Sequence, residues 1–237
     1  MSALDAFSFL GSSTQFIERP KQASFSPYEN NQGSIVAISG DDYVVIASDT
    51  RLSTGYSIHT RDQPKLFKLS NTTVLGSAGC WADVLTLSRV LEARMKMYLH
   101  EHNKEMNTPA VSQLMTSLLY YKRFFPYYVF NIVAGLDEDG VGRVYSYDSI
   151  GHKDTSNYVS VGSSAQLLQP LLDNQIGLKN IDGVTEPPRF TLDKAITIMK
   201  DVFISAAERD IYCGDSVYMI IIRKDGMVEE KFSLRKD

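Results

Sequence analysis

The chain has 237 residues, 43% of them hydrophobic and 22% charged, with a formal net charge of −4. At that length one large core is feasible, because about 70–75% of the surface exposed by the unfolded chain can be buried. With no long basic run and no stretch of about 18 apolar residues, nothing points to nucleic acid, an anionic membrane surface or a membrane span.

Residues 1–32 show no sustained periodicity and are rich in Ser, Gln, Asn and Pro, so they read as an extended leader or arm. Their apolar patch has no basic residues before it, which makes a poor signal peptide. From Gly33 the pattern changes. Residues 34–38 and 43–48 are β-branched and apolar runs joined by Gly40-Asp41-Asp42, a strand–turn–strand signal. Residues 73–77 read as another strand.

Between residues 82 and 100, Val84, Leu87, Leu91, Met95 and Tyr98 recur at spacings of three and four, the period of an amphipathic helix. Thr108-Pro109 then supplies a helix start, with Thr108 as N-cap and Pro109 in the first turn. Val111, Leu114 and Leu118 continue that helix, and Pro126 closes the pair. Strands resume at 128–135 and 143–147 around the turn Asp137 to Gly140, and again at 158–161. Gly162-Ser163-Ser164 leads into a helix through Leu172. Residues 177–190 carry Gly177, Gly183, Pro187 and Pro188 and read as a surface loop. Thr191 caps a helix whose Leu192, Ala195, Ile196, Met199, Phe203 and Ala206 share a face. Residues 218–222 and 228–232 form a closing hairpin around Lys224-Asp225-Gly226. Strands, paired helices, strands, helices and strands in that order imply one layered α+β domain, with sheets face to face and helices outside.

The two cysteines, Cys80 and Cys213, are far apart and lack CxxC spacing, which favours buried thiols in a reduced cytoplasmic or nuclear compartment. His100 and His102, two apart on a helix, point to different faces and make a poor metal chelate.

Several segments together resemble proteasome beta subunits. They are Ser34 to Ile38, Ala47-Ser-Asp49-Thr-Arg51, Lys65, Gly162-Ser163 and Arg209-Asp210-Ile-Tyr-Cys213-Gly214-Asp. The runs RFFPYYVFNIVAGLDEDG (123–140), QPLLDNQIGLKN (169–180) and DVFISAAERDIY (201–212) resemble the sixth beta position of the eukaryotic ring, and the likeness covers residues 24–237. The resemblance implies a four-layer αββα sandwich of the N-terminal nucleophile hydrolase type, with a leader at 1–32 trimmed near residue 24 and one domain at 33–237.

Active members of that family expose a threonine by self-cleavage after a glycine, and its own amine serves as base. A lysine held by a carboxylate supplies positive charge that favours the reactive amine. A backbone amide stabilises the oxyanion, a contribution of about 3–4 kcal/mol. By that resemblance Asp49 falls at the first carboxylate, Lys65 at the lysine, Ser163 beside the oxyanion turn and Asp210 at the second carboxylate. Cys213 stands where active members carry a second serine. Gly33, preceded by Gln32, occupies the nucleophile position and has no side chain to attack with.

The resemblance therefore implies a structural, non-catalytic subunit of the 20S core in ATP- and ubiquitin-dependent degradation, cytoplasmic and nuclear. It implies no cofactor or metal. Its partners would be adjacent beta subunits, the opposite beta ring, the alpha ring and assembly chaperones. Asp137, in Gly135-Leu136-Asp137, would line a neighbour's substrate pocket or else be a solvated turn residue.

Alternatives are an active hydrolase using Ser34, and an assembly factor that leaves the particle. Ser34 lies one residue further along a strand, so its hydroxyl is expected to face away from Lys65. Read without the family, Asp49 caps backbone amides in a turn, Lys65 is a solvated strand-edge charge, Ser163-Ser164 caps a helix and Asp210 closes one.

Overall fold

A computed structural model describes residues 25–183 and 190–236. The expected trimming point near residue 24 and most of the leader lie outside the described residues, as do Pro187 and Pro188. Residues 25–32 form an irregular arm. Beyond it the chain runs through β1 (Ser34–Ser39), β2 (Tyr43–Asp49), β3 (Leu52–Thr54), β4 (Ser57–Thr60), β5 (Leu66–Lys68) and β6 (Thr73–Gly79). Two helices follow, α1 (Trp81–His102) and α2 (Thr108–Tyr121). Next come β7 (Val129–Leu136), β8 (Gly142–Tyr147), β9 (Lys153–Ser156), β10 (Tyr158–Gly162), α3 (Ala165–Gln175), α4 (Leu192–Ala207), β11 (Ser216–Arg223) and β12 (Gly226–Ser233).

One antiparallel sheet has the order β10-β1-β2-β11-β12, a second has β5-β6-β7-β8-β9, and β3 pairs with β4 as a separate hairpin. Side chains on a strand alternate between faces, so each central strand divides its apolar residues between two cores. Val36 and Ile38 of β1, with Val45 and Ala47 of β2, pack against Leu168 and Leu172 of α3 and Met199 and Phe203 of α4. Their neighbours Ile35, Ala37, Val44 and Ile46 face Val74, Ile132 and Val144 of the second sheet. On the far side of that sheet Leu75, Val133 and Tyr145 meet Leu87 and Leu91 of α1 and Val111 and Met115 of α2. Because both faces of each sheet are covered, β2 and β6 are buried along their whole length.

Four short strands, β3, β4, β5 and β9, go beyond the sequence reading. The N-cap of α2 also differs from expectation. Asn107 holds that position, its Oδ1 accepting the Ala110 N–H at 2.9 Å. Thr108 is already inside the helix, and its hydroxyl donates instead to the Leu136 carbonyl at 2.7 Å. Thr191 does hold the N-cap position of α4, though its side chain makes no capping bond.

Register decides where the chemistry gathers. Ser34 pairs with Gly162, Ile35 with Ser48 and Asp49 with Val217. The start of β1, the end of β2 and the end of β10 therefore share one rim of the first sheet.

Candidate functional site

At that rim Asp49 ends β2 with its carboxylate fully buried. Oδ1 accepts the Ser34 N–H at 2.8 Å and Lys65 Nζ at 3.1 Å, and Oδ2 accepts the Arg51 N–H at 3.2 Å. Burial pushes this carboxyl up from its ordinary value, while the Lys65 charge and the two amide bonds oppose the shift. Lys65 is equally buried and donates to the Asp49 carbonyl at 2.9 Å, Asp49 Oδ1 at 3.1 Å and the Arg51 carbonyl at 2.7 Å. Its three N–H donors are all used, which is the condition for holding an ammonium away from water. Lys65 is thus not a solvated strand-edge charge. It precedes β5, and its stem runs inward beneath the start of β1.

Gly33 lies directly on that stem. Its φ is +106°, and a Cβ there would stand 2.5 Å from Lys65 Cε and 2.7 Å from Cδ. The volume in which a residue-33 side chain would sit is filled by the lysine. The Gly33 carbonyl accepts the Ser163 N–H at 3.0 Å, which ties the residue to the turn after β10.

That turn carries a hydroxyl relay. Ser34 Oγ accepts the Ser164 N–H at 3.1 Å and lies 3.3 Å from Ser163 Oγ. Ser163 donates to Asp210 Oδ2 at 2.9 Å, Ser164 donates to the same oxygen, and Asp210 Oδ1 accepts the Tyr212 N–H at 2.9 Å. Cys213 is buried beside them. Burial pushes its thiol far up, and the nearby Asp49 and Asp210 carboxylates push the same way. The fold therefore brings Gly33, Asp49, Lys65, Ser163, Asp210 and Cys213 to one rim.

A family model described as "Proteasome subunit" matches residues 29–222. This chain belongs to the proteasome subunit family. Within it the relatives are beta-type. The fruit fly (Drosophila melanogaster) proteasome subunit beta type-1 is 56% identical over 218 residues, covering 92% of this chain and 93% of the relative. The zebrafish (Danio rerio) beta type-1 subunit is 52% identical over 218 residues, covering 92% of each. A fission yeast (Schizosaccharomyces pombe) protein named probable proteasome subunit beta type-6 is 40% identical over 223 residues, covering 91% and 99%. The two sheets and flanking helices are accordingly the N-terminal nucleophile hydrolase fold of the proteasome family.

Other positions raised by the sequence find definite surroundings. Ser34 is fully buried, with its N–H on Asp49 and its hydroxyl on the 163–164 turn. Asp137 closes the turn after β7. Its Oδ1 accepts the N–H groups of Asp139 and Val141 at 3.1 and 2.8 Å, and Oδ2 accepts Arg143 Nε at 3.0 Å. Burial alone would raise this carboxyl, but the Val141 N–H and Arg143 outweigh it and hold it below the ordinary range. The side chain is 12% exposed.

Sequence reasoning missed three participants. Ser164 stands at the N-cap position of α3 yet makes no capping bond, because its hydroxyl is turned onto Asp210. Asp215 bridges Arg51 Nε at 2.7 Å and Arg61 Nη1 at 2.6 Å. Asn31, in the arm, bonds three separate parts of the molecule. The Asp-containing run after Cys213 hinted at Asp215, whereas nothing in the spacing marks Asn31.

Proposed function

We propose that this chain is a non-catalytic beta subunit of the 20S proteasome core. It builds the wall of the proteolytic chamber in ubiquitin-dependent degradation without cutting peptides itself. The observation that carries this reading is the Gly33–Lys65 contact: the family's nucleophile position has no side chain, and the lysine that would serve a nucleophile fills the space of one. Asp49, Lys65, Ser163, Asp210 and Cys213 then act as structure, joining the ends of β1, β2 and β10 to the turns after β10 and α4 through buried polar bonds.

The same reading takes 33–237 as one domain in a four-layer αββα stack, with the leader trimmed near residue 24. The sixth beta position rests on the likeness of segments 123–140, 169–180 and 201–212; the fission yeast relative carries the name type-6, whereas the fruit fly and zebrafish relatives carry the name type-1. Partners would be the adjacent beta subunits, the opposite beta ring, the alpha ring and assembly chaperones, in cytoplasm and nucleus. A neighbour's pocket would meet the Asp137–Arg143 pair, which carries little net charge, in place of a lone carboxylate. Catalysis by Ser34 is opposed by its surroundings: its hydroxyl accepts the Ser164 N–H at 3.1 Å and lies 3.3 Å from Ser163 Oγ, while Lys65 Nζ is bonded to Asp49 and Arg51 instead.

The test is covalent labelling of purified particles with an electrophile directed at N-terminal threonine, followed by the intact mass of every beta chain. Adducts are expected on other beta chains and none on this one. An adduct here that tracked loss of peptidase activity would overturn the reading.

A further inference from the structure

Residues 234–236 follow β12 and lie against the turn that carries Asp210 and Cys213. The pairing of β11 with β12 ends where Ser216 stands opposite Ser233. One more reciprocal backbone pair lies beyond it: Asp215 N–H donates to the Arg235 carbonyl at 2.9 Å, and Leu234 N–H donates to the Asp215 carbonyl at 3.0 Å. Each residue of the segment has a further tie. Leu234 is buried in the same apolar cluster as Cys213 and Ala206. Arg235 Nη1 lies 2.9 Å from Glu208 Oε2, at the C-cap of α4. The Lys236 carbonyl accepts Arg61 Nη1 at 2.9 Å.

These ties converge on Asp215. Its φ is 67°, a left-handed conformation that costs a non-glycine residue energy and persists only where surrounding bonds hold it. Its carboxylate sits between Arg51 and Arg61, and the same Arg61 Nη1 serves both Asp215 Oδ1 and the Lys236 carbonyl. Arg61 is itself anchored, because its own carbonyl accepts the Thr50 hydroxyl at 2.9 Å just after β2. From the other side Arg51 Nη1 donates to the Ile211 carbonyl at 2.7 Å. Its guanidinium closes on Gly214, where a Cβ would stand 2.6 Å from Nη2. A bonded path thus runs from Lys65 through Arg51 and Asp215 to Arg61 and Lys236. Residues 210–215 belong to no helix or strand, so these bonds are what fixes them.

We propose that residues 234–236 are a strap, latched by Arg61, that holds the 210–215 turn onto the end of β2, and that the turn opens as one unit when the strap lifts. The inference does not rest on the non-catalytic reading. Amide protection alone reports on the strap, so a labelling result that overturned that reading would leave it standing.

The experiment uses the purified full chain with Arg61→Ala and Arg61→Lys variants. Amide hydrogen exchange is read at Asp215 and Leu234 in the strap pair, and at Tyr212 and Cys213 in the turn, whose N–H groups bond Asp210. Met219 in β11 is the reference. In Arg61→Ala all four amides are expected to exchange about tenfold faster or more, the scale of a lost charge-assisted hydrogen bond, with Met219 unchanged. Arg61→Lys keeps a cationic donor and should restore part of the protection; no restoration would remove the latch assignment. A rise confined to Asp215 and Leu234 would show that the turn stands without the strap and would overturn the proposal, as would no change at any of the four. An equal rise at Met219 would mean that the sheet opens as a whole, and would overturn it too.

Discussion

Replacing Gly33 with threonine asks whether this site lacks only a nucleophile. The new Cβ would stand 2.5 Å from Lys65 Cε, so either the lysine withdraws or the start of β1 shifts. Withdrawal breaks contacts of 2.7–3.1 Å to Asp49 and Arg51 and leaves a buried carboxylate without its cation. Removing one partner of such a pair costs about 3–5 kcal/mol. A β-branched residue held at a φ of +106° adds about 1–3 kcal/mol. Together these approach the whole stability of an ordinary domain, roughly 5–15 kcal/mol. Urea unfolding of the full-length Gly33→Thr chain should therefore show a large drop in midpoint. Intact mass should show no cleavage at Gln32-Gly33. Gly33→Ala carries the same close contact without branching or hydroxyl, and should lose nearly as much stability. A Gly33→Thr chain as stable as its parent that cut itself at Gln32-Gly33 would refute the reasoning, because the site would then be intact apart from one missing side chain.

Asp215 predicts an acid-sensitive fold. Burial alone would raise its carboxyl, but the bonds and charges of Arg51 and Arg61 outweigh it and hold it below the ordinary value. A depressed folded pKa contributes stability that is fully present above the unfolded value of about 4 and is lost as pH falls through the folded one. Asp215→Asn should cost about 3–5 kcal/mol at neutral pH and flatten the stability–pH curve below pH 4, read by denaturant midpoints across that range. Asn107→Ala removes the N-cap of α2 and should cost about 1 kcal/mol, seen as a fall in Tm. Asp137→Asn weakens the partly exposed pair with Arg143 and should cost about 0.2–1 kcal/mol. In assembled particles the same variant should change the ratio of kcat/KM for basic over neutral peptides by no more than a few-fold, and a larger change would mark Asp137 as a direct pocket residue.

The long elements were readable because each carries its period in its own residues. Leu87, Leu91 and Met95 announce α1, and the β-branched runs of β1 and β2 announce central strands. Strands β4 and β9 are short, polar and exposed, so they have no apolar face to betray them. Strand β5 follows Pro64 and has only three residues. Lys65 shows the limit for the site. Its partner Asp49 lies sixteen residues away, and only the packing of one sheet on the other, which brings the end of β2 over the approach to β5, makes them a pair. Read locally, a lysine after proline belongs in water. The capping of α2 failed for a smaller reason, since Asn107 and Thr108 are both good caps and adjacent. Here the hydroxyl had a better acceptor in the Leu136 carbonyl.

Both cysteines, Cys80 and Cys213, are free and buried, and the Cys213 thiol is held strongly in its protonated form. Thiol reagents attack the thiolate, and only where they can reach it. In the native fold Cys213 offers neither, so alkylation at that position becomes a clock for opening of the rim between Asp49 and Asp210. Pulse labelling with an iodoacetamide-type reagent would time that opening in the unmodified chain, with no engineered probe.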